Sequence, residues 1–150
     1  MVEARSDVTV PAPPAEVFAV VSDMDHADWL PAVRRLRHAG GPKRGPGARY
    51  EVEVGALGRH LRGVLVCDVL DAPKRMVLSL EEGIELSIEV RVRAVRGGST
   101  VDISAKYSVG SGPFSGAVER ASQGAARREV ARACEQLATH FGRGHEKTRA

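Results

Sequence analysis

Residues 84–95, IELSIEVRVRAV, and residues 101–109, VDISAKYSV, decide the fold. In the first stretch Ile84, Leu86, Ile88, Val90 and Val92 take every second position, with Glu85, Ser87, Glu89, Arg91 and Arg93 between them. The second repeats the pattern with Val101, Ile103, Ala105, Tyr107 and Val109. Successive side chains of a strand point to opposite sides. A period of two therefore sorts apolar from polar residues onto the two faces of an antiparallel sheet, one buried and one wet. The GGS at 97–99 supplies the turn between them.

Working outward, the turn DAPKR (71–75) separates MVLSL (76–80) from a long strand expected over 59–70, RHLRGVLVCDVL. Before it, VRRLRHA (33–39) and ARYEVEV (48–54) flank the turn-rich GGPKRGPG, which reads as a hairpin. The arginines of its first arm suit a sheet edge, where charge discourages pairing with another chain. A first strand over 3–10 is stopped by PAPP, since proline cannot extend a ladder. Pro14 fits the first turn of a helix, and AEVFAVVSD places Val17, Phe18 and Val21 on one helical face. A second short helix is expected over DHADWLPAV (25–33), with Asp25 as N-cap and Pro31 ending it.

The last element starts near Pro113 and meets no proline before Phe141. A helix of that length spans ~43 Å, more than a ten-residue strand, so it can cross the sheet and cover its apolar face. Phe114, Val118, Ser122 and Ala125 share one stripe, whereas Val130, Ala133, Leu137 and Phe141 share another, rotated by about a quarter turn. A kink or a twist of the buried face is therefore expected near Gln123–Gly124. The polar end GRGHEKTRA reads as a flexible tail, giving one domain over 1–142 and a tail over 143–150.

Composition narrows the function classes. The 150 residues suffice for one core and not for two ordinary domains. No apolar run approaches the ~18 residues of a membrane span, and MVEARSDVTV lacks the apolar segment of a signal peptide, so the reading is cytoplasmic. The net charge of +3 comes mostly from arginines interspersed with acids, and aromatics make up only 4%. A nucleic-acid surface would need basic residues interleaved with aromatics, so none is expected. Cys67 and Cys134 stand far apart with no CxxC spacing, which argues for buried thiols and against zinc. No metal or cofactor is expected.

The segments VTVPAPPAEVF (8–18), WLPAV (29–33), GPGAR (45–49), DAPKRMVLSL (71–80) and GGSTVDI (97–103), in this order, resemble the START-like (SRPBCC) superfamily. Within it the resemblance is to the polyketide cyclase/dehydrase and lipid-transport group, and it runs to about residue 142. It implies an α+β helix-grip fold. In that fold a curved antiparallel sheet of about seven strands wraps around a long C-terminal helix, with two short helices after the first strand. It also implies a cavity between sheet and helix. Members of the superfamily bind sterols, lipids, polyketides, quinones or plant hormones, and only some catalyse a reaction. The Gly-, Ala- and Ser-rich FSGAVERASQGAA supports a cavity here, because small side chains leave space opposite Leu and Ile.

The residues expected to line it are Trp29, Tyr50, Val52, Leu61, Leu65, Cys67, Leu78, Leu86, Ile88, Tyr107, Phe114, Val118 and Ser122. The expected partner is an apolar small molecule (a lipid, a quinone or a polyketide-like compound), held by burial and oriented by Tyr50 or Tyr107. No catalytic residue is assigned. His60 is a candidate for proton transfer by residue type, but no acid stands at a useful spacing from it. The competing readings are a cyclase, aromatase or dehydratase using Arg59 and Arg62, and a protein-interaction module. The longer motifs expected of the enzymes are absent. Oligomeric state, monomer or homodimer, is left open.

Overall fold

The computed structural model describes the backbone of residues 2–27, 29–31, 33–56, 59–81, 85–108 and 115–149. It also describes their side chains, except those at 56, 59–61, 115–122 and 143–149. Seven strands form one antiparallel sheet: β1 (Val2–Val10), β2 (Val33–Gly40), β3 (Arg49–Ala56), β4 (Arg59–Asp71), β5 (Arg75–Leu80), β6 (Leu86–Val95) and β7 (Gly98–Tyr107). Helix α1 (Pro14–Val21) follows β1, and α2 (Ser115–Arg149) follows β7. The strand order is β1-β7-β6-β5-β4-β3-β2. Consecutive strands from β2 to β7 are thus neighbours, and β1 crosses over to pair with β7. The sheet is open, with β1 and β2 at its edges. The arginine-bearing β2 takes the edge position its composition suggests.

One expected element differs. The segment after α1 holds a single 3-10 turn, Met24–His26, rather than a second helix. Its cap is Asp23, not Asp25: the Asp23 carboxylate accepts from the Asp25 N–H and from the His26 ring. Competing side-chain bonds of this kind favour a turn over continued helix, and Pro31 removes the N–H a longer helix would need.

Charge ladders cover the outer face. Glu53 of β3 lies between Arg35 of β2 and Arg62 of β4. Glu89 of β6 meets Arg75 and Arg91, and Arg5 of β1 meets Asp102 of β7. Several of the arginines that dominate the composition are thus paired with acids on neighbouring strands, as cross-strand neighbours favour. Asp23 and Glu89 are both held below the usual carboxylate range, chiefly by hydrogen bonds from His26 and Arg75 respectively.

The inner face carries the core. Val17, Phe18 and Val21 of α1 are buried, and the helix packs on β6 and β7. The chain reaches it through a close approach at the β1 end. A Cβ on Gly98 would lie 2.0 Å from the Val10 carbonyl oxygen, so only glycine fits there. The neighbouring Ser99 hydroxyl, fully buried, donates to the Ala12 carbonyl.

Helix α2 runs without interruption through Gly124. Ala126, Val130, Ala133, Cys134 and Leu137 are buried, with Phe141 packed beside them. The later apolar stripe is therefore where its spacing puts it, and it begins at Ala126. Ala125, expected on the earlier stripe, is half-buried, and the remainder of that stripe lies outside the described side chains. Rather than crossing the whole sheet, the described part of α2 packs along β1 and less extensively on β7. Ala126 and Ala133 on the helix and Ala4 on the strand are small enough to allow that approach. Gln123 fastens the contact: its side-chain oxygen accepts from the Glu3 N–H and its amide donates to the Glu3 carbonyl. The Cys134 thiol hydrogen-bonds with Ser6. The expected tail at 143–150 falls outside the described side chains.

Candidate functional site

Strand register assembles the site. Val2 of β1 pairs with Tyr107 of β7, Tyr107 with Leu86 of β6, and Leu86 with Leu80 of β5. Leu80 pairs with Leu65 of β4, Leu65 with Tyr50 of β3, and Tyr50 with His38 of β2. A single row of facing residues thus crosses all seven strands, apolar or aromatic except at its exposed end, His38. A second row, Ala4, Ala105, Ile88, Leu78 and Cys67, runs beside it.

These rows are not closed over evenly. One row further along β5 to β7, Met76, Val90 and Ile103 are buried to 2% exposure or less. In the first two rows Leu80, Leu86, Ile88, Ala105 and Tyr107 stay only half-buried, although β5, β6 and β7 are interior strands; Leu80, Leu86 and Tyr107 stand at the ends of theirs. The described part of α2 lies over β1 and β7, and α1 covers the opposite end of β6 and β7. Between them, an apolar floor over β5 and β6 has incomplete cover.

Polar groups border this floor. The Tyr50 hydroxyl donates to the Lys43 carbonyl at 2.9 Å, and His38, edge-on to the Tyr50 ring at 5.7 Å, bonds the Pro42 carbonyl through Nε2. Because a carbonyl only accepts, Nε2 carries the proton. Together they fasten the 41–48 loop, whose start needs glycine: Gly41 has φ of +66° and sits against the Gly47 carbonyl. Arg44 of that loop reaches Asp23 in the turn after α1, which ties the loop to the segment bearing Trp29. Burial, and next the neighbouring Cys67, raise the Tyr50 phenol above its ordinary range. Burial likewise raises the Cys67 thiol. Both groups are neutral at physiological pH, as an apolar surface requires. Trp29 is 4% exposed and belongs to the core cluster.

The structure brings Tyr50, Leu65, Cys67, Leu78, Leu86, Ile88 and Tyr107 together in the two rows. Val52 is buried one step along β3, facing Gly63, and Trp29 lies in the same core. Leu61, Val118 and Ser122 have side chains outside the described residues, as does His60; Phe114 lies outside them altogether. Sequence reasoning missed Leu80 and Ala105. Both continue the alternation of their strands, and cross-strand pairing, unlike periodicity, puts them at the centre of the floor. Among the described residues no group of three His, Cys, Asp or Glu side chains is placed to hold a metal ion. None of the described helices is long and apolar enough to cross a membrane.

The family described as polyketide cyclase/dehydrase and lipid transport matches residues 1–142. No curated protein matches in sequence. Among solved structures, a protein of Thermus thermophilus superposes with a TM-score of 0.81 at 19% identity, over 95% of this chain and 98% of its own. The Zhui aromatase/cyclase from Streptomyces sp. R1128 gives 0.78 at 15% identity, covering 94% and 93%. A START superfamily protein from Mycobacterium smegmatis gives 0.71 at 12% identity, covering 94% and 97%. At such identities the likeness is one of fold, and the fold is the helix-grip arrangement of sheet and long helix.

Proposed function

Because the chain belongs to the polyketide cyclase/dehydrase and lipid transport family, we propose that it is a binding or carrier protein for an apolar small molecule held against the inner face of the sheet. One observation carries this reading: Leu80, Leu86, Ile88 and Tyr107 stay half-buried toward one end of three interior strands while the adjoining row is closed. Apolar surface left open forfeits ~25 cal/mol per Å², and a guest of matching shape recovers it. Lipids, quinones and polyketide-like molecules all have the required body. Catalysis draws less support. Two titratable groups described at this face, Tyr50 and Cys67, are held neutral by burial, and the Tyr50 hydroxyl already donates to the Lys43 carbonyl.

Nile red, an uncharged apolar dye, should bind the native protein saturably at one site and quench or shift the emission of Trp29, the sole tryptophan. Absence of saturable uptake would remove the binding reading. His60→Ala should leave that uptake unchanged. If a reaction is found, a ~100-fold loss of turnover in this variant with binding intact, the scale of a lost general acid or base, would favour the enzyme instead.

A further inference from the structure

Trp29 carries an anomaly inside the core. Its ring is 4% exposed, and its Nε1 is buried with no hydrogen-bond partner. The indole N–H is a donor only, and buried donors in folded proteins are nearly always matched by an acceptor. Here neither bulk water nor a described acceptor reaches it. The ring shares one apolar cluster with Tyr50, Val52, Leu65 and Leu78 of the inner face. Among the described residues its segment is held by two turn bonds, Leu30 N–H to the Ala27 carbonyl and Val33 N–H to the Leu30 carbonyl, and by no strand pairing before β2. A shift of this segment therefore breaks no ladder.

We infer that the Trp29 Nε1–H is the ligand's hydrogen-bond donor, so that the protein takes an apolar molecule bearing an acceptor oxygen, a ketone or quinone carbonyl, in preference to a hydrocarbon of the same outline. This rests on the binding reading above and adds a polar requirement to it. An acceptor entering beside Trp29 satisfies a donor that no described residue pairs, and a hydrocarbon does not. Tyr50 is the poorer donor, because its hydroxyl already serves the Lys43 carbonyl.

The test compares anthraquinone with anthracene, tricyclic molecules of one outline that differ in two carbonyl oxygens. The native protein should prefer anthraquinone, and in Trp29→Phe, which keeps an aromatic ring and loses the N–H, that preference should fall roughly fivefold to tenfold, the worth of one hydrogen bond. The second readout needs no variant. With one tryptophan in the chain, the indole N–H gives a single proton–nitrogen cross-peak. Anthraquinone should move its proton downfield, and anthracene should not. An unchanged preference in Trp29→Phe, or an indole peak that responds alike to both probes, overturns this inference while Nile red binding stands. If the native protein takes up neither probe nor Nile red, the binding reading falls and this inference with it.

Discussion

Replacing Leu137 by alanine should destabilise the protein by ~2–5 kcal/mol, the cost of truncating a leucine in a core that cannot collapse onto the space left. Leu137 is fully buried. Its neighbours along the stripe, Ala126, Val130, Ala133 and Cys134, are too short to swing into the hole. The helix is also held at Gln123 and Cys134, so it has little freedom to settle inward. Urea unfolding should show a lower midpoint with an unchanged slope, the mark of lost stability rather than of an altered unfolded state. Gln136→Ala, one residue away and exposed, should fall within ~0.5 kcal/mol of the native protein. A Leu137→Ala cost below ~1 kcal/mol would mean that α2 does not close the core.

Ile88→Trp should cut Nile red uptake by more than about tenfold while leaving the protein folded. Ile88 stands between Leu78 and Ala105 in the second row, half-buried and on β6, beside rather than on the strands that α2 mainly packs against. Where space exists above it, the indole fills the ligand's place with little strain. Where the interior is already filled, overpacking costs ~1–3 kcal/mol. Dye titration and thermal unfolding read together separate the two. Lost uptake with nearly native stability locates the binding region over β6. Lost stability with uptake intact would put the ligand elsewhere.

Most of the architecture is legible in the sequence because its signals are local. Alternation in β6 and β7 and the proline stop after β1 need only a few consecutive residues to read. The edge position of β2 follows from its charge. The segment after α1 reads as a helix over 25–33 from a cap at Asp25 and a stop at Pro31, but the Asp23 side chain, bonding Asp25 and His26, caps a single 3-10 turn there instead. The site is legible in part. Alternation says that Leu78 and Ile88 face inward, but not that they face each other, and Leu80 gains its central position only through pairing with Leu65 and Leu86. The loop role of the Tyr50 hydroxyl and the unpaired Trp29 N–H depend on atoms seven or more residues away or on the lack of any partner. No sequence pattern encodes either.

Gln123 offers the edge strand what another strand would: one acceptor and one donor, spaced to meet the N–H and C=O of a single residue. The amide hydrogen of Glu3 is therefore shielded by a side chain on a separate element, not by its own ladder. Its rate of exchange with deuterated water is tied to the seating of the helix on that strand. Anything that lifts the helix, a guest entering beneath it included, acts at one backbone position at the rim of the sheet, so a single amide reports on the state of the whole grip.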